Sequence, residues 1–505
     1  MTAQDNRSYV RRSLSALAQG FRSSDKITTA IVAAIIGLTV SLAAIAFREI
    51  ILGTQGLAIG TVDEKMLAFV RELPWWHRFL PPVVGSVVVA LALRFLLSTH
   101  RPLGIADVIE ANALRDARMP LKDGLVSAVV SAFSLGAGSS AGREGPIVHL
   151  GATLAAAVAK TFHFTPALAR TLLGCGVAAA VAASFNAPLA GVFFALEVIL
   201  GHYALHAFAP IVIASVAGTI VSRAYYGDYP AFIIPDYYIA SPWEFPAFVL
   251  LGGVSAFTAI VFLRTIFLAD DIANRFDKVP GWARPPIAGV LLGALAIAFP
   301  EVIGVGYDAT DQALKILFPL WLLLALVVVK TVATAISLAC RFGVGLFSPS
   351  LFVGAMVGAA FGVVAKMAFP AVGSDPGLYA IVGMGAVASA VLGAPISTIL
   401  IVFELTGDYQ VTLALMVAVV VANLTTRHFT GTTSVFFQQL ERRGLYLEGG
   451  RARHLLRQTP IKDLIDENVS TIRQDARIHE IRERMFEAPL ALLVVVDYDD
   501  RLVGR

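Results

Sequence analysis

The chemistry in this sequence concentrates on one carboxylate, Glu144. Residues 139–146 read Ser-Ser-Ala-Gly-Arg-Glu-Gly-Pro in the middle of an apolar region. Gly136, Gly138 and Gly142 loosen the backbone ahead of it. Pro146 suits the first turn of a new helix, where its missing N–H would have no partner anyway. This places Glu144 and Gly145 just outside a helix N-terminus, an end with unpaired N–H groups and about half a positive charge. Such an end holds a small anion, or a carboxylate of the chain takes the anion's place. An ionisable group at membrane depth is a functional candidate by default. The plainer alternative is a helix-start carboxylate that only satisfies N–H groups.

The same pattern occurs twice. Gly142-x-x-x-Pro146-x-x-x-x-Gly151-Ala152 is matched by Gly345-x-x-x-Pro349-x-x-x-x-Gly354-Ala355, an offset of 345 − 142 = 203 residues. Gly176, Ala187, Pro188 and Glu197 are matched by Gly383, Ala394, Pro395 and Glu404, at 395 − 188 = 207. Duplicated halves with interrupted helices in matching positions predict a binding site at the repeat interface, near the bilayer midplane. Identity alone leaves open whether the halves are inverted.

These turns need a membrane-embedded scaffold to position them. Of the 505 residues, 57% are hydrophobic and 15% charged, against about a quarter charged in soluble domains. Apolar runs predict spans over 27–51, 79–97, 204–222 and 245–268, with further apolar segments at 286–299, 317–340, 351–369, 379–391, 396–403 and 411–423. Trp75, Trp76 and His77 read as an interfacial anchor. Shorter segments, 125–135, 147–158, 167–184 and 187–200, are broken by Gly, Pro, Ser and Asn. Broken helices at membrane depth are tolerated only inside protein or along a cavity. Residues 1–26 are basic and read as a cytosolic lead-in, and the charged connection 270–284 as cytoplasmic. From 445 to 505 the chain is charged and mixed, with a helix over 478–486 and a strand over 491–496.

A net charge of +3 is too small to point to nucleic acid. Cys175 and Cys340 read as small buried thiols. No cluster has metal-ligand spacing and no nucleophile is matched with a base, so neither metal, cofactor nor enzymatic activity is expected. His149 does not share a helical face with Glu144 and reads as packing. Arg143 either raises the local anion concentration or pairs with carbonyls. Lys330, within the run 317–340, either adds positive potential to a pathway or is a buried structural cation.

Four motifs together resemble the CLC family of chloride channels and anion–proton exchangers. They are Gly142-Arg143-Glu144-Gly145-Pro146; Phe185-Asn186-Ala187-Pro188-Leu189-Ala190-Gly191; Gly345-Leu346-Phe347-Ser348-Pro349; and Gly393-Ala394-Pro395 leading to Phe403-Glu404-Leu405-Thr406. The resemblance spans residues 27–444. It implies an all-α polytopic fold of two repeated halves, 27–222 and 243–444, built of tilted and broken helices. It also implies a homodimer with one anion pathway per subunit, in a bacterial inner (plasma) membrane. The tail from Thr459 resembles the first half of a CBS pair, a partial α/β unit that could take an adenine nucleotide, with its second half missing from this chain.

By the same resemblance Glu144 is the gating carboxylate, and Gly145, Leu346 and Phe347 offer backbone amides to the anion. Three positions depart from the family pattern. The first motif reads Pro102-Leu103-Gly104-Ile105-Ala106, with Leu103 in place of a serine whose hydroxyl would reach the anion beside Gly104. Phe436 replaces a tyrosine. Val198 stands where many exchangers carry a proton-relay glutamate. Fewer donors weaken anion binding and put chloride selectivity in doubt, and a valine cannot relay a proton. The expectation is a chloride-conducting anion channel gated by Glu144. The alternatives are a proton-coupled exchanger and a membrane sensor or scaffold regulated through the tail.

Overall fold

Runs of Ala, Val, Leu and Ile form helices here, and proline and left-handed residues set where they start and stop. Pro166, Pro188, Pro285, Pro376 and Pro395 each open a helix, where φ is already suitable. Asn186, Gly393, Gly407 and Gly431 close helices at φ between 57° and 71°. The computed structural model describes residues 26–228, 232, 237–276, 279–370, 373–448, 456, 460, 470–488 and 493–504. Two units separate, Met1–Glu448 and Gly449–Arg505.

The first half of the larger unit comprises α1 (Lys26–Ala58), α2 (Leu67–Glu72), α3 (Trp75–Phe95), α4 (Ile105–Leu114), α5 (Leu121–Gly136), α6 (Glu144–Thr161), α7 (Pro166–Phe185), α8 (Pro188–Phe194) and α9 (Leu205–Tyr226). A π-helical turn, Ala195–Leu200, extends α8. The second half comprises α10 (Phe245–Arg275), α11 (Pro285–Ala298), α12 (Tyr307–Leu314), α13 (Leu320–Ala339), α14 (Phe347–Ala368), α15 (Pro376–Leu392), α16 (Pro395–Thr406), α17 (Tyr409–Thr430) and α18 (Val435–Glu441). Among the described residues nine helical segments are long and apolar enough to cross a membrane. The chain is a multi-pass membrane protein, as its composition implies, and the larger unit is all-α.

The repeat is visible as packing. Gly151 and Gly176 bring α6 and α7 together so closely that a Cβ at either would meet the other's carbonyl oxygen at 2.4 or 2.3 Å. Their repeat partners Gly354 and Gly383 do the same for α14 and α15, at 2.5 and 2.6 Å. Glu404, at the end of α16, accepts hydrogen bonds from the Leu189 and Ala190 N–H groups at the start of α8 (both 2.8 Å). Glu197 returns the favour at the start of α16, accepting from Ile396 N (3.1 Å), Ser397 N (2.9 Å) and the Ser397 hydroxyl. Each half therefore caps a helix of the other, satisfying N–H groups that a membrane interior leaves without water.

The halves are inverted. Helix α9 ends at Tyr226 beside a cavity that Tyr307 also lines. Its repeat, α17, ends at Thr430 beside Asp271 and Arg442, at the far end of α10. Phe232, between α9 and α10 in sequence, packs edge-on against Tyr307, 5.1 Å between ring centroids, and so lies on the Tyr307 side. The 31 residues of α10 then run about 46 Å to the opposite face.

Two helices lie in stretches that read as merely polar. Within 98–123, α4 carries Asp107 and Glu110, which the chain neutralises: Asp107 binds Arg101 and Arg443 (2.5 and 2.9 Å), and Glu110 binds Arg115. Helix α12 lies between two apolar runs. In the smaller unit, β1 (Thr471–Arg473) pairs parallel with β2 (Val494–Val496), which pairs antiparallel with β3 (Leu502–Gly504), and α19 (Ile478–Glu487) follows β1. Thr459, where the CBS resemblance begins, lies outside the described residues, as do residues 1–25.

Candidate functional site

The two repeated turns meet head to head. Gly142 N–H donates to Gly345 O, and Gly345 N–H donates to Gly142 O, both at 2.8 Å, as an isolated antiparallel bridge. Helices α6 and α14 leave this bridge with their N-terminal ends side by side. The amides of Glu144, Gly145, Leu346 and Phe347 donate to no protein acceptor among the described residues. Two positive helix ends and a set of open N–H groups thus converge in the protein interior. Phe347 is buried, and its ring packs against Phe185 (5.0 Å) and Phe194 (6.0 Å), which fixes the start of α14.

Glu144 is itself the first residue of α6, with Pro146 two positions further in. Its carboxylate does not cap its own helix, as the sequence suggests, but crosses to the other half. Oε2 accepts from Ser348 N (3.3 Å), on the first turn of α14. Oε1 accepts from the Ser348 hydroxyl (2.5 Å) and from the Tyr307 hydroxyl (2.6 Å). The side chain is 1% exposed. A carboxylate of one half is thus held at the helix N-terminus of the other, by N–H and O–H donors of the kind that bind small anions.

Tyr307 and Ser348 supply hydroxyls at this seat, and reasoning from sequence assigned a role to neither. Removing the Tyr307 hydroxyl alone deletes one hydrogen bond to a charged group, which contributes about 1.5 kcal/mol. Tyr307→Phe is therefore expected to speed anion efflux from proteoliposomes at neutral pH by about tenfold. An unchanged rate would mean that this phenol does not hold the carboxylate in place.

Two vestibules flank the bridge. The cavity on the Tyr307 side, about 380 Å³, is lined by Arg48, Glu64, Arg143, Asn186 and Tyr226 among others. Arg143 packs its guanidinium 4.8 Å from the Tyr307 ring centre and donates to Glu64 (2.7 Å). Glu64 is also bound by Arg48 (2.8 and 2.9 Å). Burial pushes the Glu64 carboxyl up, but Arg143 and Arg48 outweigh it and hold the group below its ordinary value. The opposite cavity, about 340 Å³, is lined by Leu103, Gly104, Arg101, Arg341, Val344 and Arg442 among others.

The remaining expected residues are placed as follows. Leu103 lines the second cavity, and its N–H donates to the Ser127 hydroxyl (2.9 Å). The Gly104 N–H is engaged by Asp107 (2.8 Å), so it is not open as the Leu346 amide is. Phe436 is buried in the core beside α4, and Val198 in the π-helical turn. Lys330 is fully buried and donates to the carbonyls of Val302 (3.3 Å) and Gly304 (3.0 Å), with the Phe352 ring 5.0 Å away. It faces the turn that leads into Tyr307 rather than either cavity, which favours the structural alternative: the ammonium pins the loop that presents the phenol. Gly145 and Gly345 are needed for contact, since a Cβ on either would lie 3.0 or 2.8 Å from the other's backbone.

A family model described as voltage gated chloride channel matches residues 84–427. A protein of Ralstonia nicotianae named as a ClcB-like chloride channel protein is 34% identical over 416 residues, covering 81% of this chain and 96% of that protein. The H(+)/Cl(-) exchange transporter ClcA of Vibrio cholerae is 29% identical over 391 residues, covering 74% of this chain and 84% of its own. Among solved structures, a slow cyanobacterial Cl-/H+ antiporter superposes with a TM-score of 0.73 at 23% identity, over 82% of this chain and 97% of that one, which speaks to the fold. The matches run through both repeated halves, and the chain belongs to the CLC family of anion transport proteins.

Proposed function

We propose that the protein is a proton-coupled exchanger of chloride or a similar small anion, with Glu144 as the group both ions must engage. The observation that carries this reading is the seat of the Glu144 carboxylate. It sits on Ser348 N, the Ser348 hydroxyl and the Tyr307 hydroxyl, and on this reading closes the passage between the two vestibules. An anion advancing from either cavity competes for those donors. A proton arriving at the carboxylate removes the charge that holds it there. Anion and proton thus act on one side chain, the minimum needed for coupling. The kinship with ClcA of Vibrio cholerae, an H(+)/Cl(-) exchange transporter, supports the same reading.

A passive channel is the second reading, and Val198 favours it: a buried hydrocarbon stands where a relay carboxylate would supply protons from the Arg101 side. Leu346 and Phe347 offer amides to the anion in either case, and the absent hydroxyls at Leu103 and Phe436 are offset by those of Ser348 and Tyr307. Positive-inside bias makes the face carrying Arg101, Arg341, Arg442 and Arg443 cytoplasmic. A homodimer with one such pathway per subunit is part of this reading, tested by a cross-linked species of twice the chain mass.

The deciding measurement is the reversal potential of reconstituted protein at a fixed chloride gradient while a proton gradient is imposed. Exchange predicts a shift of the reversal potential with pH. A reversal potential that follows chloride alone would return the protein to the channel reading.

A further inference from the structure

The vestibule on the Tyr307 side holds a second carboxylate gripped by cations. Arg48 donates from Nε and Nη2 to both oxygens of Glu64, at 2.8 and 2.9 Å, and Arg143 Nη1 shares Oε1 at 2.7 Å. Each guanidinium is also oriented by a ring. The Tyr226 ring centre lies 4.0 Å from Arg48 Cζ, and that of Tyr307 lies 4.8 Å from Arg143 Cζ. The rings hold both cations in place independently of Glu64, in the fork geometry that suits a small anion. The Arg143 side chain is 6% exposed, while those of Arg48 and Glu64 are 29% exposed, so the pair opens to the cavity on the Glu64 side.

We propose that Arg48 and Arg143 form an outer docking site for a small monovalent anion, which Glu64 occupies as a tethered competitor. The site takes chloride or a similar anion on its way to Tyr307 and Glu144. If Glu64 swings away, two guanidiniums face each other across a narrow gap, one of them cut off from solvent. That arrangement is unfavourable until another negative charge arrives. Glu64 can move because it sits on the connection between α1 and α2. That connection is tied down at Thr61 and Asp63 through Gln55 (3.1 and 2.8 Å), not at Glu64 itself. Neighbouring acids are engaged elsewhere: Asp63 accepts from Lys65 N (2.9 Å), and Asp308 from Leu67 N (2.9 Å). The arrangement repeats the logic of Glu144 one step further out. A carboxylate of the chain keeps an anion seat filled until substrate displaces it. The inference rests on the reading that Glu144 closes the passage from this vestibule, and it concerns anion capture rather than proton coupling.

The test is isotopic chloride exchange in proteoliposomes at equal chloride on both faces, read as the half-saturating concentration. Glu64→Gln removes the competitor and is expected to lower that concentration about fivefold, with allowance for solvent screening. Arg48→Gln removes one wall and is expected to raise it about fivefold. Glu49 provides the control for net charge: it is exposed, accepts from Tyr226 OH (3.2 Å) and touches neither guanidinium. Glu49→Gln makes the same charge change and is expected to leave the value within about twofold. Equal shifts in the Glu49 and Glu64 variants, or an unchanged value in folded Glu64→Gln protein, would overturn the site. Should Glu64→Gln fail to fold, because Arg143 loses its partner, an unchanged half-saturation in Arg48→Gln overturns it instead. Wild-type protein that moves chloride without protons, with these shifts intact, would retire the exchange reading and support the docking site.

Discussion

Glu144→Gln is expected to move anions without protons, at a rate that no longer follows pH. In the native protein the ionised carboxylate is held by three hydrogen bonds from Ser348 and Tyr307 in a buried seat. Each such bond to a charged group contributes about 1.5–3 kcal/mol. Acidification adds a proton to the carboxylate and cancels its charge, so the hold weakens as pH falls. Flux through wild-type protein should therefore rise as external pH falls, by about tenfold. Glutamine fills nearly the same volume but carries no charge and takes up no proton. Flux through the variant should stay within about twofold as external pH is varied, and proton movement should fall to the level of empty liposomes. Anion efflux with simultaneous recording of external pH measures both. Residual coupling in the variant would mean that another group carries the proton, and the seat on Ser348 would then be only structural.

The sequence carried the symmetry of this site better than its chemistry. The 203-residue offset between Gly142 and Gly345 marks the two glycines that bridge, and the second block marks Glu197 and Glu404, which cap each other's half. These are legible because a duplicated chain keeps its turn residues at fixed spacing. Tyr307 was not legible. It lies 163 residues from Glu144 in a short helix with no apolar run of its own, and it reaches the carboxylate from just beyond a turn whose Gly304 carbonyl Lys330 binds. Ser348 stood inside a recognised motif, yet its hydroxyl acquires a role only when the opposite half delivers Glu144. Glu64, 79 residues from Arg143, reads as an ordinary loop acid until the fold sets it between two guanidiniums. Helix α4 was hidden for a related reason: its acids look solvent-facing in sequence but are neutralised by the flanking Arg101 and Arg115 and by Arg443 from a distant segment. Local pattern thus specifies helix ends, whereas the contents of the seat between them come from tertiary pairing.

Gly345→Ala is expected to abolish most transport while leaving the protein folded. A Cβ at this position would stand 2.8 Å from Gly145 N and 3.1 Å from Gly142 O, both backbone atoms that cannot swing aside. Relief requires α6 and α14 to separate, which stretches the paired 2.8 Å bonds of the bridge and draws Ser348 away from Glu144. Overpacking of this kind costs about 2 kcal/mol, equivalent to about thirtyfold in flux if it falls on the geometry of the seat. The remaining helix contacts, including the reciprocal caps of Glu197 and Glu404, are untouched, so thermal unfolding should shift little. Gly142→Ala makes an informative contrast. Its Cβ would meet Glu144 Oε2 at 2.6 Å, a mobile side-chain atom, before it meets Ser348 N at 3.0 Å. Its first effect is therefore to dislodge the carboxylate, and that part of its cost should vanish in a Glu144→Ala background, whereas the cost of Gly345→Ala should persist there. Equal rescue of both glycine variants by Glu144→Ala would mean that the carboxylate, and not the backbone bridge, sets the spacing of the two helix ends.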